Sequence, residues 1–380
     1  MKVYLELNKT NNMIKIPVNI EELKSYKPGR PIKQIIKDYN LKKTAILWNN
    51  ENNFGPSPIA MKSVKNALDS SHLYPDPACL ELRGLIADRN RVKIENVAVG
   101  NGSESLFNNV FNSFFVRGDE MLTCEGTFIA VYIWAKANKV AVRKVPLTST
   151  YNFNLNGLLA SITDKTKAIY LSNPNNPTGA MISREELIDF IEKIPPHIIV
   201  IVDEAYFEFA HDLSEDYPDS TLLKHDNILT LRTFSKAYGI AAIRIGYAIS
   251  SKRMIEALMK VKLTFEPSNV AQAAGIGAIK DEAHLRKTID NNTKELHIYY
   301  RELHKLGYNY VPSFGNFVML NLSNSETVQL LFEALMKKGV FVRPLKAFGL
   351  PECLRITIGT PAENKLCLKA LANCKVELGI

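Results

Sequence analysis

The sequence predicts an α/β protein: a mostly parallel mixed sheet between helices, joined to a smaller α+β unit. From about residue 96 short aliphatic runs alternate with amphipathic stretches, the order of a repeated strand–helix chain. The runs lack polar alternation, as strands covered on both faces do. The 380 residues, 46% hydrophobic and 23% charged, suffice for two cores.

The elements follow in order. The first 45 residues are mixed in pattern, hold the turn-rich YKPGRP and read as an arm. NVAVG, EMLTC, AVRKVPL and KAIYLSNP read as strands, separated by the helical SESLFNNVFNSFF, TFIAVYIWAKANK and NLNGLLASI. SREELIDFIEKI opens with a capping box, Ser183 and Glu186, which fixes one helix start. Strands within HIIVIVDEAYFEF, NILTLRTFS and RIGYAIS follow. Long helical patterns then run from SKRMIEALMK to DEAHLRKTIDNNTKELHIYYRELHKLG. YNYVPSFGNFVMLNL, SETVQLLFEALMKKG, VFVRPL, LRITIGT and a last helix form the smaller unit. The expected division is an arm (1–45) that joins the small domain, a large domain (46–275) and a small domain (276–380).

Composition excludes some classes of function. Cys79, Cys124, Cys353, Cys367 and Cys374 are scattered without metal-like spacing. Reduced thiols in a cytoplasmic protein are expected, and no metal. The start, MKVYLELNKTNNMIKI, has no apolar h-region, and the longest aliphatic run, 198–202, is far too short to span a bilayer. The net charge of +8 comes from dispersed lysines rather than a basic run. It does not point to nucleic acid and suits a small anionic ligand.

In open α/β sheets ligands gather at the carboxyl ends of strands, and unusual polar residues fall there. VAVGNGSESLF is a strand, a turn and a helix start, so the N–H groups of Gly102, Ser103 and Glu104 would form a phosphate seat. An ordinary turn capped by Ser103 is the plainer reading. SNPNNPTG is a loop in which Asn175 and Asn176 either scaffold the turn or meet a ligand. Five aliphatic residues run into Asp203, whose carboxylate at the edge of a buried sheet needs a cationic or donor partner. That partner is either a structural arginine or a cationic heterocycle. Lys236, alone, would be a solvated charge. With the phosphate seat, Asp203, Ser235 and Arg244 it supplies what pyridoxal 5′-phosphate requires: an amine for the aldehyde, an acid for the ring nitrogen and donors for the phosphate.

At this point the chain resembles the fold-type I pyridoxal-phosphate aminotransferases, and among them the histidinol-phosphate aminotransferases. The resemblance runs from about Tyr26 to the C-terminus and is carried by NNENNFGPSP, YPDP, GNGSES, SNPNNPTG, VDEAYFEF, LRTFSKA, RIGYA, NVAQAA, SFGNFVML, FVRPL and LRITIGT. It implies that Lys236 binds the cofactor and shuttles a proton, and that Asp203 pairs with the pyridinium nitrogen. Asn176 and Tyr206 would bond the ring oxygen, and Phe128 would stack on the ring. Tyr74 would reach the phosphate of a neighbouring subunit in a homodimer with shared sites. Arg355 would grip the donor carboxylate and, with Arg343, a substrate phosphate; Tyr26 and Asn316 would lie on the substrate side.

The implied reaction is ping-pong transamination with glutamate or 2-oxoglutarate and histidinol phosphate. The same scaffold also serves aromatic and other aminotransferases, a threonine-phosphate decarboxylase-like lyase and non-catalytic regulators. Trp48, Asn53, Gly126 and Ser25 depart from the family pattern near the arm and the stacking loop.

Overall fold

The computed structural model describes residues 14–25 and 31–380. Its strands are β1 (Ala45–Ile46), β2 (Val97–Gly100), β3 (Glu120–Cys124), β4 (Ala141–Val145), β5 (Thr166–Ser172), β6 (Ile199–Asp203), β7 (Ile228–Thr233), β8 (Gly246–Ser250), β9 (Asn309–Val311), β10 (Phe317–Asn321), β11 (Val340–Phe341), β12 (Arg343–Pro344) and β13 (Cys353–Thr357). Seven of them make one sheet in the order β2-β8-β7-β6-β5-β3-β4. Strands β7, β6, β5, β3 and β4 pair in parallel. Only β8 is reversed, antiparallel to both β2 and β7.

Period-two geometry explains how this sheet is covered. In β6, Ile199 and Ile201 join the core formed with helices Gly102–Phe114, Ala130–Ala137 and Lys252–Val261. Val200 and Val202 face the opposite layer, with helices Leu155–Ala160 and Arg184–Glu192. A strand with apolar residues on both faces shows no alternation in sequence, which is why it reads as a continuous aliphatic run.

The capping box is present: the Ser183 hydroxyl accepts from the Glu186 N–H, and the Glu186 carboxylate accepts from Ser183 N. One expected helix is shorter than its pattern. TFIAVYIWAKANK becomes helical only at Ala130, because the Thr127 hydroxyl is tied to Asn175 Oδ1 at 2.8 Å and holds the preceding residues in a loop.

The smaller sheet has the order β12-β13-β10-β9, antiparallel throughout. Strand β1 pairs with β11 in parallel, which fastens Ala45 and Ile46 to this C-terminal unit. Helix Glu282–Lys305 serves both halves of the molecule. Leu285 and Ile289 enter the core around helices Pro58–Leu68, Leu80–Asn90 and Asn269–Ile279, and Leu296, Tyr299 and Leu303 enter the core of the smaller unit. Between them Asn291 Nδ2 donates to Gly359 O, Asn292 Nδ2 to Gly315 O and Thr293 Oγ1 to Asp212 Oδ2. No described helix is long and apolar enough to cross a membrane.

A buried ion network lies behind the end of β7. Arg232 reaches Glu204 at 2.7 Å and Asp219 at 2.6 Å, donates to Asn90 Oδ1 and lies 3.3 Å over the Phe207 ring. Both Arg232 and Glu204 are buried. Removing one member leaves an uncompensated charge in the interior. Glu204→Ala is expected to cost about 3–5 kcal/mol in urea unfolding. A loss within experimental error would show that the network carries no stability.

Candidate active site

The carboxyl ends of β2, β5, β6 and β7 lie along one edge of the large sheet, and the reversal of β8 brings its amino end to the same edge. Register makes this concrete: Gly246 pairs with both Gly100 and Thr233, and Ser172 pairs with Asp203. Residues remote in sequence therefore meet in a cavity of about 260 Å³. Its lining includes Ser103, Glu104, Phe128, Asn176, Asp203, Tyr206, Ser235, Lys236 and Arg244, all expected from sequence, together with Asn49 and Glu51.

The first turn of helix Gly102–Phe114 has no side-chain cap. Gly102 has φ +76°, and a Cβ there would meet the Arg244 guanidinium. Gly246 likewise lacks a Cβ where Ser103 N packs against it. The two glycines thus let a helix N-terminus approach an arginine closely, a concentration of donors suited to a phosphate. Arg244 itself has φ 60° and donates from Nη1 to Ser235 Oγ at 3.3 Å. The Glu104 carboxylate is held aside by the Trp134 indole N–H at 3.0 Å.

Asp203 is buried, and its partner is a residue the sequence reading did not name. Tyr170 Oη donates to Asp203 Oδ2 at 2.7 Å, and the Ala205 N–H donates to Oδ1. The parity of the strands contained this signal: Tyr170 belongs to the same sheet face as Ile199 and Ile201, and hence as Asp203. Burial pushes the Asp203 carboxyl up to about 6, held back first by the Tyr170 hydroxyl. Lys236 donates to Asn49 O at 3.1 Å. Burial, then the charge of Arg355, brings its amine down to about 8, against the opposite pull of Glu51. Such an amine is partly free at neutral pH.

Around this centre the segment Trp48–Glu51 acts as a hub that composition gave no reason to single out. Asn50 Nδ2 donates to Tyr206 Oη at 2.8 Å. Trp48 O accepts from Arg355 Nη2 at 2.8 Å, and Arg355 Nη1 also bonds Asn176 Oδ1. Arg355 Nε is buried without a partner, and burial lowers its pKa to about 10. Arg343 donates to Asn49 Oδ1 at 2.5 Å. Neither arginine lines the cavity wall itself; both bond residues that do. Asn316 is buried below the hub, its amide donating to Asn50 O at 3.2 Å.

The two asparagines of the loop are separated in role. Asn175 is fully buried and bonds Gly126 O and Thr178 Oγ1, which is scaffolding, whereas Asn176 lines the cavity. Phe128 does both things it could do: it packs on the core beside helix Ala130–Ala137 and forms cavity wall. Tyr74 lies outside the cavity, highly exposed, with its ring stacked on Phe265 at 4.1 Å. Tyr26 lies outside the described residues. Among the described residues no group of His, Cys, Asp and Glu could hold a metal, and the five cysteines are free and buried.

A lysine, a buried carboxylate and a helix-terminal donor cluster at the strand ends of a mixed sheet define a fold-type I pyridoxal-phosphate transferase. The chain belongs to the class I and II aminotransferases, whose family model matches residues 43–371. It is 37% identical over 358 residues to a histidinol-phosphate aminotransferase of Anaeromyxobacter sp. (strain Fw109-5), covering 94% of this chain and 98% of that one. It is 38% identical to histidinol-phosphate aminotransferase 2 of Pasteurella multocida (strain Pm70), over 93% and 96%. The crystal structure of histidinol-phosphate aminotransferase from Sinorhizobium meliloti in complex with pyridoxal-5′-phosphate matches with a TM-score of 0.85 at 26% identity, covering 97% of this chain and 100% of that one. The Gly102–Arg244 cradle, the orphaned Arg355 Nε and the lowered Lys236 amine all fit that cofactor and an anionic substrate.

The electrostatics predict a titration. In cofactor-free protein, acylation of Lys236 followed by mass spectrometry is expected to rise through a midpoint near pH 8, below the ordinary lysine value of 10.5. Arg355→Met removes a neighbouring positive charge that disfavours the ammonium, so the midpoint moves up. A wild-type midpoint in the ordinary lysine range would contradict the geometry.

Proposed function

We propose that the chain transfers the amino group between glutamate and imidazole-acetol phosphate, the ketone partner of histidinol phosphate, with histidinol phosphate and 2-oxoglutarate as the reverse pair. The observation that carries this reading is the convergence of Lys236, Asp203 and Arg244 on one cavity that Arg343 and Arg355 overlook through Trp48 and Asn49. The names of the relatives support the substrate.

In this reading Gly102, Ser103 and Glu104 offer backbone N–H groups to the cofactor phosphate, joined by Ser235 and Arg244. Asp203 would keep the ring nitrogen protonated, Asn176 and Tyr206 would bond the ring oxygen, and Phe128 would cover a ring face. When bound, pyridoxal 5′-phosphate supplies an aldehyde carbon for the amino group and a ring that accepts the electron pair left at the substrate Cα. Lys236 would hold the cofactor and, once released, take and return the proton at the substrate carbon that bears the amino group. Its lowered pKa suits both directions of that transfer near neutral pH. Arg355 holds the substrate carboxylate in a bidentate fork, and Arg343 joins it for a phosphate. Asn316 acts by propping the Asn50–Glu51 backbone.

The same proposal covers assembly. Leu73, Tyr74, Leu263 and Phe265 are exposed apolar residues, the kind of surface a second copy covers. A homodimer in which Tyr74 reaches the neighbouring subunit's phosphate site follows. The division into arm (1–45), large domain (46–275) and small domain (276–380), and a cytoplasmic location with free thiols, belong to this reading as well.

An amino-acceptor panel with glutamate as donor tests it. Imidazole-acetol phosphate is expected to be aminated with the highest kcat/KM, ahead of phenylpyruvate. A preference for phenylpyruvate would reassign the enzyme to aromatic substrates, and release of carbon dioxide without use of an oxo acid would make it a lyase. Arg355→Ala removes a charged hydrogen bond worth about 1.5–3 kcal/mol, so the KM for glutamate is expected to rise about ten- to a hundredfold. An unchanged KM would return that arginine to a structural role.

A further inference from the structure

Arg343 and Arg355 face each other directly across β12 and β13. Like charges at opposed positions of a strand pair repel, and nothing in the strands themselves turns Arg343 toward the cavity. Two groups outside the sheet do so. The Trp48 carbonyl accepts from Arg343 Nε at 3.5 Å as well as from Arg355, and Asn49 Oδ1 accepts from Arg343 Nη2 at 2.5 Å. The Trp48 ring lies 5.9 Å from the Arg343 Cζ, at the outer range of a cation–π contact. The shorter bond is the one that Arg343 donates to Asn49.

We propose that Asn49 is a positioning residue for Arg343 and thereby sets recognition of the phosphate on the far end of the substrate. This rests on the reading of Arg343 as a substrate-phosphate ligand. Arginine only donates, so the amide atom that meets it is the oxygen, and the Asn49 nitrogen is left as a further donor on a residue that lines the cavity. The bonds to Asn49 and Trp48 use one N–H each from Nη2 and Nε, and both Nη1 hydrogens stay free for the anion among the described residues. A guanidinium held in advance loses less freedom on binding than one that swings in solvent. The Asn49 carbonyl, which accepts from Lys236, belongs to the backbone and survives any side-chain change.

Steady-state kinetics of the holoenzyme with histidinol phosphate and 2-oxoglutarate, beside the glutamate half-reaction, tests this with Asn49→Ala and Asn49→Asp. Asn49→Ala is expected to raise the KM for histidinol phosphate about tenfold, with kcat within about twofold and the glutamate half-reaction unchanged. Asn49→Asp keeps the acceptor but adds a negative charge against the substrate anion, so its KM rises further. A merely structural role predicts the opposite order, with aspartate restoring the wild-type KM. Asn49→Ala in an Arg343→Ala background is expected to add little, because its effect passes through that arginine. Unchanged variants in an active wild type would overturn the role of Asn49 alone, as would an equal loss with glutamate. A wild type that does not turn over histidinol phosphate would overturn the substrate reading and this inference with it.

Discussion

The site depends on holding its charges by neutral dipoles instead of by one another. Asp203 is bonded by a tyrosine hydroxyl and a backbone N–H, Arg355 by a carbonyl and an amide that leave its Nε open, and Lys236 by a carbonyl. Among the described residues none of these three forms an ion pair with another. An ion pair would cancel the field of each partner, whereas a dipole stabilises a charge and leaves its field intact for whatever enters the cavity. The contrast lies one residue away along each strand. Glu204 and Arg232 follow Asp203 and precede Thr233, point to a different environment and neutralise each other with Asp219. Adjacent positions in the chain thus separate a charge kept for chemistry from a charge used as a fastener.

Strand topology is what makes this arrangement affordable in so many contacts at once. Parallel strands deliver their carboxyl ends to one edge, and the single reversal at β8 adds an amino end there, with Arg244 just before it. The left-handed backbone at Arg244 and at Gly102 turns both residues toward the same point. The glycine permits it at little cost, and the arginine accepts a less favoured conformation that its bonds to Ser235 and Ala241 help to hold.

Much of this was legible in the sequence, for identifiable reasons. The aliphatic runs announced doubly covered strands, the capping box placed a helix start, and Asp203 at the end of such a run announced a buried carboxylate in need of a partner. What was not legible is long-range. Tyr170 looked like one more apolar strand residue until parity and register placed it beside Asp203. Asn49 to Glu51 open a motif of the family resemblance and Trp48 departs from its pattern, yet this segment bonds groups from residue 206 to residue 357, contacts that no local pattern encodes. Phe128 shows the limit from the other side, since one ring both packs on the core and lines the cavity.

Helix Glu282–Lys305 has a mechanical consequence. One continuous rod anchored in two separate hydrophobic masses couples them as a lever does, so the smaller unit cannot slide past the larger without tilting it. The middle of that rod, Asn291 to Thr293, grips its surroundings by amide and hydroxyl bonds, and such bonds can be exchanged for water more cheaply than interlocked apolar side chains can be separated. Any hinge in this rod would therefore fall between Ile289 and Leu296, and the strands that bear Arg343 and Arg355 would move with the smaller unit beyond it.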